Sequence, residues 1–327
     1  MRRKLAGLKW TPQWTSRMGC LHGCSEYLGL KNSLAWVFGI TGHAFIINMH
    51  EVGVCPSGPT AWRADEHYKL SVGLGLSQKN IAWADSRQED FEDKLKEAWM
   101  STRLSIDEGD PVYAWEIIVP EYYVINGYDD TGYLFSGPIP QDDNRWKDRG
   151  FPWNRYGKTD IGLIEVNRVS KCDSPIDIKA VCAGLRFALQ HSNTRDYLWD
   201  RYHSGIAGFD TWIETLRNDE AMIHGMTYNT AVWWECRCHA VDFLMEVAER
   251  ITNLPANTIN KAIKAYSDVR DALKQLKDMF PFEISEDTIE DASLIKSGVE
   301  CLERARDAER VGLRSLEELT ATMEKMI

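Results

Sequence analysis

The chain has 327 residues, 44% of them hydrophobic and 27% charged, which is enough length for two domains with sizeable cores and excludes extensive disorder. Its 49 acidic and 38 basic side chains leave a net charge of −11, a balance that repels phosphate backbones and excludes nucleic acid as the expected partner. Eight cysteines are too sparse for a disulfide scaffold.

In chain order, the basic start Met1-Arg2-Arg3-Lys4 is followed by no apolar h-region, and no run of about 18 apolar residues occurs, so the expectation is a cytoplasmic protein without a membrane span. Residues 24–38 have apolar positions near helical spacing broken at Gly29 and Lys31-Asn32, which predicts two short helices ending at Gly39. A tight loop, 39–43, leads into a predicted buried strand over 44–49. After the loop 55–59 a helix is expected over 63–74, then a polar link, then an amphipathic helix over 90–106 stopped by Gly109.

The clearest strand signal follows: 111–118, 122–128 and 133–136 are rich in β-branched and aromatic residues. The loop 129–132 between the last two predicts a hairpin whose Gly132 takes positive φ. Residues 141–156 are polar, aromatic and irregular, and 161–169 predicts one more strand. From Pro175 onward the period becomes 3.6, with helices expected over 176–189, 208–216, 230–251, 258–279, 287–305 and 310–326. The fold class expected is α+β, with a first domain over 1–172 and an all-α helical bundle over 173–327.

The chemistry-bearing motif is Gly19-Cys20-Leu21-His22-Gly23-Cys24, placed just before the first expected helix. A thiol at a helix N-terminus meets the positive end of the backbone dipole and unpaired N–H groups, which lowers its pKa and prepares an oxyanion site. The alternative is that both cysteines are inert packing residues. A structural zinc site needs four ligands, and the second cluster, Cys236-Arg237-Cys238-His239, lies within a helix where residues 236 and 238 point to different faces, so no metal is expected. Nine of the thirteen tryptophans precede residue 155, which suits either a core or an aromatic cleft for an organic ligand.

The segment 19–24, together with Phe38-Gly39-Ile40-Thr41-Gly42-His43-Ala44-Phe45, resembles the N-terminal domain of the butirosin biosynthesis protein H family. Residues 109–130, with Glu121-Tyr122-Tyr123-Val124-Ile125-Asn126-Gly127-Tyr128-Asp129, resemble strands of the papain-like peptidases that process double-glycine leaders. The stretches 205–212 and 237–244 are similar to the helical domain found behind such domains. The resemblance implies a papain-like cysteine peptidase-like fold that works through an acyl-cysteine, either moving an aminoacyl group from a carrier-protein thioester to an amine or hydrolysing an amide. It puts the nucleophile on Cys24 or Cys20, with Cys24 favoured as closer to the expected helix start. No cofactor is implied.

One departure stands out. Where the peptidases start their strand with a histidine base, this chain has Glu121, and where they place an orienting acid it has Ser136. A carboxylate with a pKa near about 4.3 is a weak base for a thiol near about 8.5. The candidates for a substitute base are His43, beside its glycine turn, and His22 or His50, the alternative for His43 being a histidine that only organises its loop; Glu121 is expected to line the pocket. The further pocket candidates are His22, Trp36, Trp115, Glu116, Tyr123 and Asn126. Two functions follow from these readings. One is a cysteine acyltransferase or amide hydrolase acting on an amine-bearing small molecule or peptide. The other is a catalytically inactive papain-like protein that binds such a ligand in a Trp-rich, acidic cleft. Apolar stripes on the late helices suit packing within the chain or a homodimer.

Overall fold

The computed structural model describes residues 2–63, 65–139, 145–146, 149–196, 198–282 and 291–327. The chain forms two compact units, Met1–Val37 with Leu74–Ser174, and Phe38–Gly73 with Pro175–Ile327. The chain passes between the units three times; the third passage, after Ser174, lies two residues beyond the boundary expected at 172, and the segment 38–73 groups with the helical region.

In order, the elements are β1 (Arg3–Lys4), α1 (Ser16–Tyr27), α2 (Leu34–Ile40), β2 (Asn48–His50), α3 (Asp65–Leu70) and a 3-10 turn at Ser71–Leu74. They continue with β3 (Leu76–Asp85), α4 (Phe91–Glu108), β4 (Val112–Trp115), β5 (Tyr122–Tyr128), β6 (Gly132–Ser136), β7 (Phe151–Pro152), a 3-10 turn at Trp153–Arg155, and β8 (Leu163–Lys171). The remainder is α5 (Asp177–Asn193), β9 (Tyr202–Ser204), α6 (Gly205–Arg217), α7 (Ile223–Arg250), α8 (Ala256–Met279) and α9 (Ala292–Glu324). Parts of the expected irregular stretch 141–156 and of the helix expected over 287–305 lie outside the described residues.

The first unit is built on an antiparallel sheet of order β3-β8-β4-β5-β6-β7, with β1 paired to β5. β5 is buried at every position because it is interior to the sheet. The stretch expected as a polar link forms β3: Ser77-Gln78-Lys79-Asn80 lacks an apolar run because this strand ends the sheet, and an edge strand keeps polar side chains. Gly109 ends α4 with φ of 90°, as expected. Gly132 is absent from the positive-φ glycines; it is required because a Cβ there would strike the Phe151 carbonyl oxygen of the paired strand β7.

The first helix starts at Ser16, eight residues before the expected start, because glycines at 19 and 23 mask its signal while serving a packing role. The extended segment around residues 9–11 lies directly on these two glycines, four apart on one helix face, and the Thr11 N–H donates to the Gly19 carbonyl at 3.2 Å. A Cβ at Gly23 would collide with the Lys9 carbonyl oxygen, so Gly23→Ala should lower stability by about 1–3 kcal/mol despite alanine's better helix propensity. Chemical unfolding would check this, and an unchanged midpoint would refute the packing role.

In the second unit, β2 pairs with β9, and of the strand expected over 44–49 only 48–49 belong to a strand, Asn48–His50. The carbonyls of Ala44 and Ile46 instead accept from the guanidinium of Arg237 on α7, each at 2.9 Å. Arg237 also forms a two-bond ion pair with Glu309 on α9, at 2.9 and 3.0 Å, both side chains being fully buried. This explains why α9 is one helix where the sequence suggested two: Glu309 sits in what reads as a polar break at 306–309, yet its charge is satisfied in the interior.

Candidate functional site

Ser16, Cys20 and Cys24 follow one another at four-residue intervals on α1 and so share a face of the helix. All three are buried, and α1 packs against β5. Ser16 is the first residue of α1, and Thr15 before it makes no side-chain cap bond.

Glu121 immediately precedes β5. The connection from β4 is closed by Glu116 N–H donating to the Glu121 carbonyl at 2.8 Å and by Glu121 N–H donating to the Val119 carbonyl at 2.6 Å. Glu116 pays for this geometry with φ of 59°, in the left-handed region that side chains avoid. The turn delivers the half-buried Glu121 carboxylate to the start of α1, where it accepts a hydrogen bond from Ser16 Oγ. Ser16 Oγ in turn accepts from the Tyr122 N–H at 2.9 Å. A carboxylate there also meets the positive end of the helix dipole.

Beside this pair lies a polar layer on one face of the sheet. Arg17, 5% exposed, pairs with Glu165 on β8 at 2.9 Å and lies over the Tyr122 ring at 4.8 Å. Tyr122 Oη donates to the other Glu165 oxygen at 2.9 Å, and Asn167 Nδ2 donates to Glu165 at 2.8 Å. Asn80 Nδ2 reaches Asn167 Oδ1 at 3.3 Å, and Tyr113 Oη donates to Gln78 at 2.5 Å. The register explains the alignment: Tyr113 sits opposite Asn167, and Asn167 opposite Asn80, so these side chains share a face.

The expectation of thiols at a helix N-terminus is corrected by the helix itself. Cys20 and Cys24 are its fifth and ninth residues, one and two turns inside, and Cys20 rather than Cys24 is nearer the start. The dipole effect fades within the first turn, while burial disfavours the thiolate. Burial pushes both thiols up; for Cys20 the neighbouring Cys24 pushes further, Arg17 pulls back, and the Glu121 carboxylate adds a smaller upward push. Glu121 therefore stands near Cys20 electrostatically but favours the thiol over the thiolate.

The other expected site residues have definite places. His22 Nδ1 is 2.9 Å from Thr11 Oγ1 and tethers the segment lying on α1. Trp36 is buried in α2, capped by Ser33 Oγ accepting from the Trp36 N–H. Trp115 packs edge-on to Tyr122 at 4.9 Å, on the face of the polar layer. Glu116 is buried and its carboxyl is pushed up by desolvation, against hydrogen bonds from Thr159 and the Leu163 backbone. Tyr123 is fully buried, donating its hydroxyl to the Pro138 carbonyl at 2.6 Å. Asn126 Nδ2 donates to the Leu8 carbonyl at 3.4 Å. Asp129 is a turn residue, accepting from the Thr131, Gly132 and Gly150 N–H groups.

His43 belongs to the second unit, whereas Cys20, Cys24 and Glu121 belong to the first. It is 1% exposed, 6.0 Å from the Phe38 ring and 5.9 Å from the Trp62 ring. Among the described residues no group of three or more His, Cys, Asp or Glu side chains is placed to hold a metal ion, and no helix is long and apolar enough to cross a membrane.

Ser16, Arg17 and Glu165 were missed as site residues. Thr15-Ser16 is a helix-start signal, and Glu165 and Asn167 alternate with Ile164 and Val166, which marks a polar sheet face; both signals were present in the chain. Comparison with known proteins finds neither a protein-family model nor a curated protein that matches the chain.

Proposed function

We propose that the first unit is a papain-like α+β domain that binds an amine-bearing small molecule or peptide without using cysteine chemistry. The observation that carries this reading is the pairing of Glu121 with Ser16 where α1 starts and β5 begins. In the family that the chain resembles, the nucleophile sits at a helix start and its base at a strand start; here a hydroxyl and a carboxylate hold those places. A half-buried carboxylate that already accepts from a hydroxyl suits an ammonium group, through a charge-assisted hydrogen bond.

The rival reading is acyl transfer from a carrier-protein thioester through an acyl-cysteine, and the placing of Cys20 and Cys24 on the same face of α1 as Ser16, which meets Glu121, favours it. Thermal unfolding with spermidine or an aminoglycoside as probe separates the two. A ligand present at 100 times its Kd stabilises by about 2.7 kcal/mol, and that response should persist in the Cys20→Ala/Cys24→Ala double variant and vanish in Glu121→Gln. Loss of the response in the double variant, or iodoacetamide labelling of either thiol with an apparent pKa below about 8.5, would establish the cysteine reading instead.

A further inference from the structure

Apart from the amine-binding reading, and independent of it, we infer that Glu116 and Asp160 hold a calcium ion at the loop 157–162 of the first unit. β4 and β8 run antiparallel with Ala114 opposite Val166, so Glu116, the residue after β4, comes beside the start of β8 and the loop that leads into it. Glu116 is 4% exposed. The Thr159 hydroxyl and the Leu163 N–H donate to its carboxylate, yet Oε2 is shielded from solvent without a hydrogen-bond partner.

A buried carboxylate is stable as an anion only beside positive charge; without it the group takes up a proton or a cation. Among the described residues no lysine or arginine acts on Glu116, and the loop's own Lys158 is paired with Glu92 at 2.7 Å. The charge that does act on it is a second carboxylate. Burial pushes the Glu116 carboxyl up, the bonds from Thr159 and Leu163 pull it back, and Asp160 pushes it up again. Two carboxylates brought together from residues 44 apart in the chain, one of them with an unused oxygen, form an arrangement that a cation completes.

The donors select the ion. All are oxygens, which suits a hard cation and not zinc or copper, and two carboxylates leave backbone carbonyls and water to fill the shell, as calcium accepts in variable geometry. Magnesium sheds its water reluctantly, and the Glu116 oxygen is dry. Lys158, Thr159, Asp160 and Ile161 are all exposed, so only the loop separates the carboxylate from solvent. The Ser86 N–H donates to the Gly162 carbonyl at 2.7 Å and the Gly162 N–H to Thr159 Oγ1 at 3.0 Å, so the backbone that carries Asp160 is fixed before the ion arrives.

Terbium(III), a calcium-sized ion whose luminescence is fed by nearby aromatic rings, reads the site: Tyr156 is near enough to feel the Glu116 charge, and Trp115 adjoins it in the chain. The full chain, stripped with a chelator, is titrated with terbium, with calcium and magnesium as competitors, and with calcium alone by calorimetry. One saturable calcium site per chain is expected, with a Kd of about 0.1–1 mM, weak because only two carboxylates contribute. Glu116→Gln keeps the shape of the side chain and should weaken binding at least about 100-fold, and Asp160→Asn about 10-fold. Asp160 is exposed, so its variant decides the question if Glu116→Gln does not fold. No saturable calcium binding below about 10 mM, binding indifferent to either substitution, or magnesium displacing terbium as well as calcium does, overturns the proposal.

Discussion

Removing one carboxylate, in Glu309→Ala, is expected to destabilise the helical unit by about 3–5 kcal/mol, the largest single-residue effect in the chain. The substitution leaves the fully buried Arg237 guanidinium without its counter-ion between α7 and α9. Burial opposes the charge of both partners, pushing the Glu309 carboxyl up, and only their mutual attraction and hydrogen bonds offset that cost. Replacing both, in Arg237→Met/Glu309→Leu, removes the stranded charge and should recover part of the loss. Recovery should be incomplete, because Arg237 also satisfies the carbonyls of Ala44 and Ile46, and an unpaired buried carbonyl costs about 1–3 kcal/mol. Urea unfolding followed by far-ultraviolet circular dichroism measures all three variants. A Glu309→Ala loss below about 1 kcal/mol would show that the pair is solvated in solution.

The second large effect is acid sensitivity centred on His191. This side chain is fully buried, with Nε2 donating to Asn48 Oδ1 at 2.7 Å, and its ring lies 5.6 Å from Trp62 and 5.4 Å from Phe187. Burial lowers its pKa to about 4. The sign follows from linkage: in the unfolded chain the imidazole protonates near about 6.5, while the folded state resists protonation until pH about 4. Folding therefore loses stability as pH falls through that window, by up to about 3 kcal/mol, and gains none of it back below the folded pKa. His191→Gln removes the titrating group, so the difference in stability between wild type and variant should shrink by about that amount from pH 7 to pH 4. A pH-independent difference would mean that the imidazole titrates normally in the folded state.

The candidate site was legible in pieces. Glu121 was singled out because it stands where a base was expected, and it does meet the helix that carries the cysteines. The placing of that helix was the difficulty. Gly19 and Gly23 are poor helix formers, so the pattern began to look helical only at Cys24, and the thiols were set at a helix start that lies at Ser16. The glycines are there for the chain that lies on them, a contact between residues 9–11 and 19–23 that no helical periodicity expresses. Among the pocket candidates, Tyr123 and Asn126 were chosen for their aromatic and polar character, and both spend that character on backbone carbonyls of their own unit.

The sequence by itself determined the chain's broad organisation: strands with β-branched and aromatic alternation in the first half, a run of amphipathic helices after Pro175, and an acidic surface. These are local or summed properties, written into periods of 2 and 3.6 and into net charge, and they survive any rearrangement of distant parts. Only the tertiary structure decided which segments share a unit, why Glu309 is interior rather than a break, and which hydroxyl meets Glu121. Each of these rests on a partner distant in the chain: 72 residues separate Arg237 from Glu309 and 105 separate Ser16 from Glu121. A buried charge or hydroxyl is stable only when such a partner satisfies it, and that satisfaction is a property of the folded geometry, not of either residue.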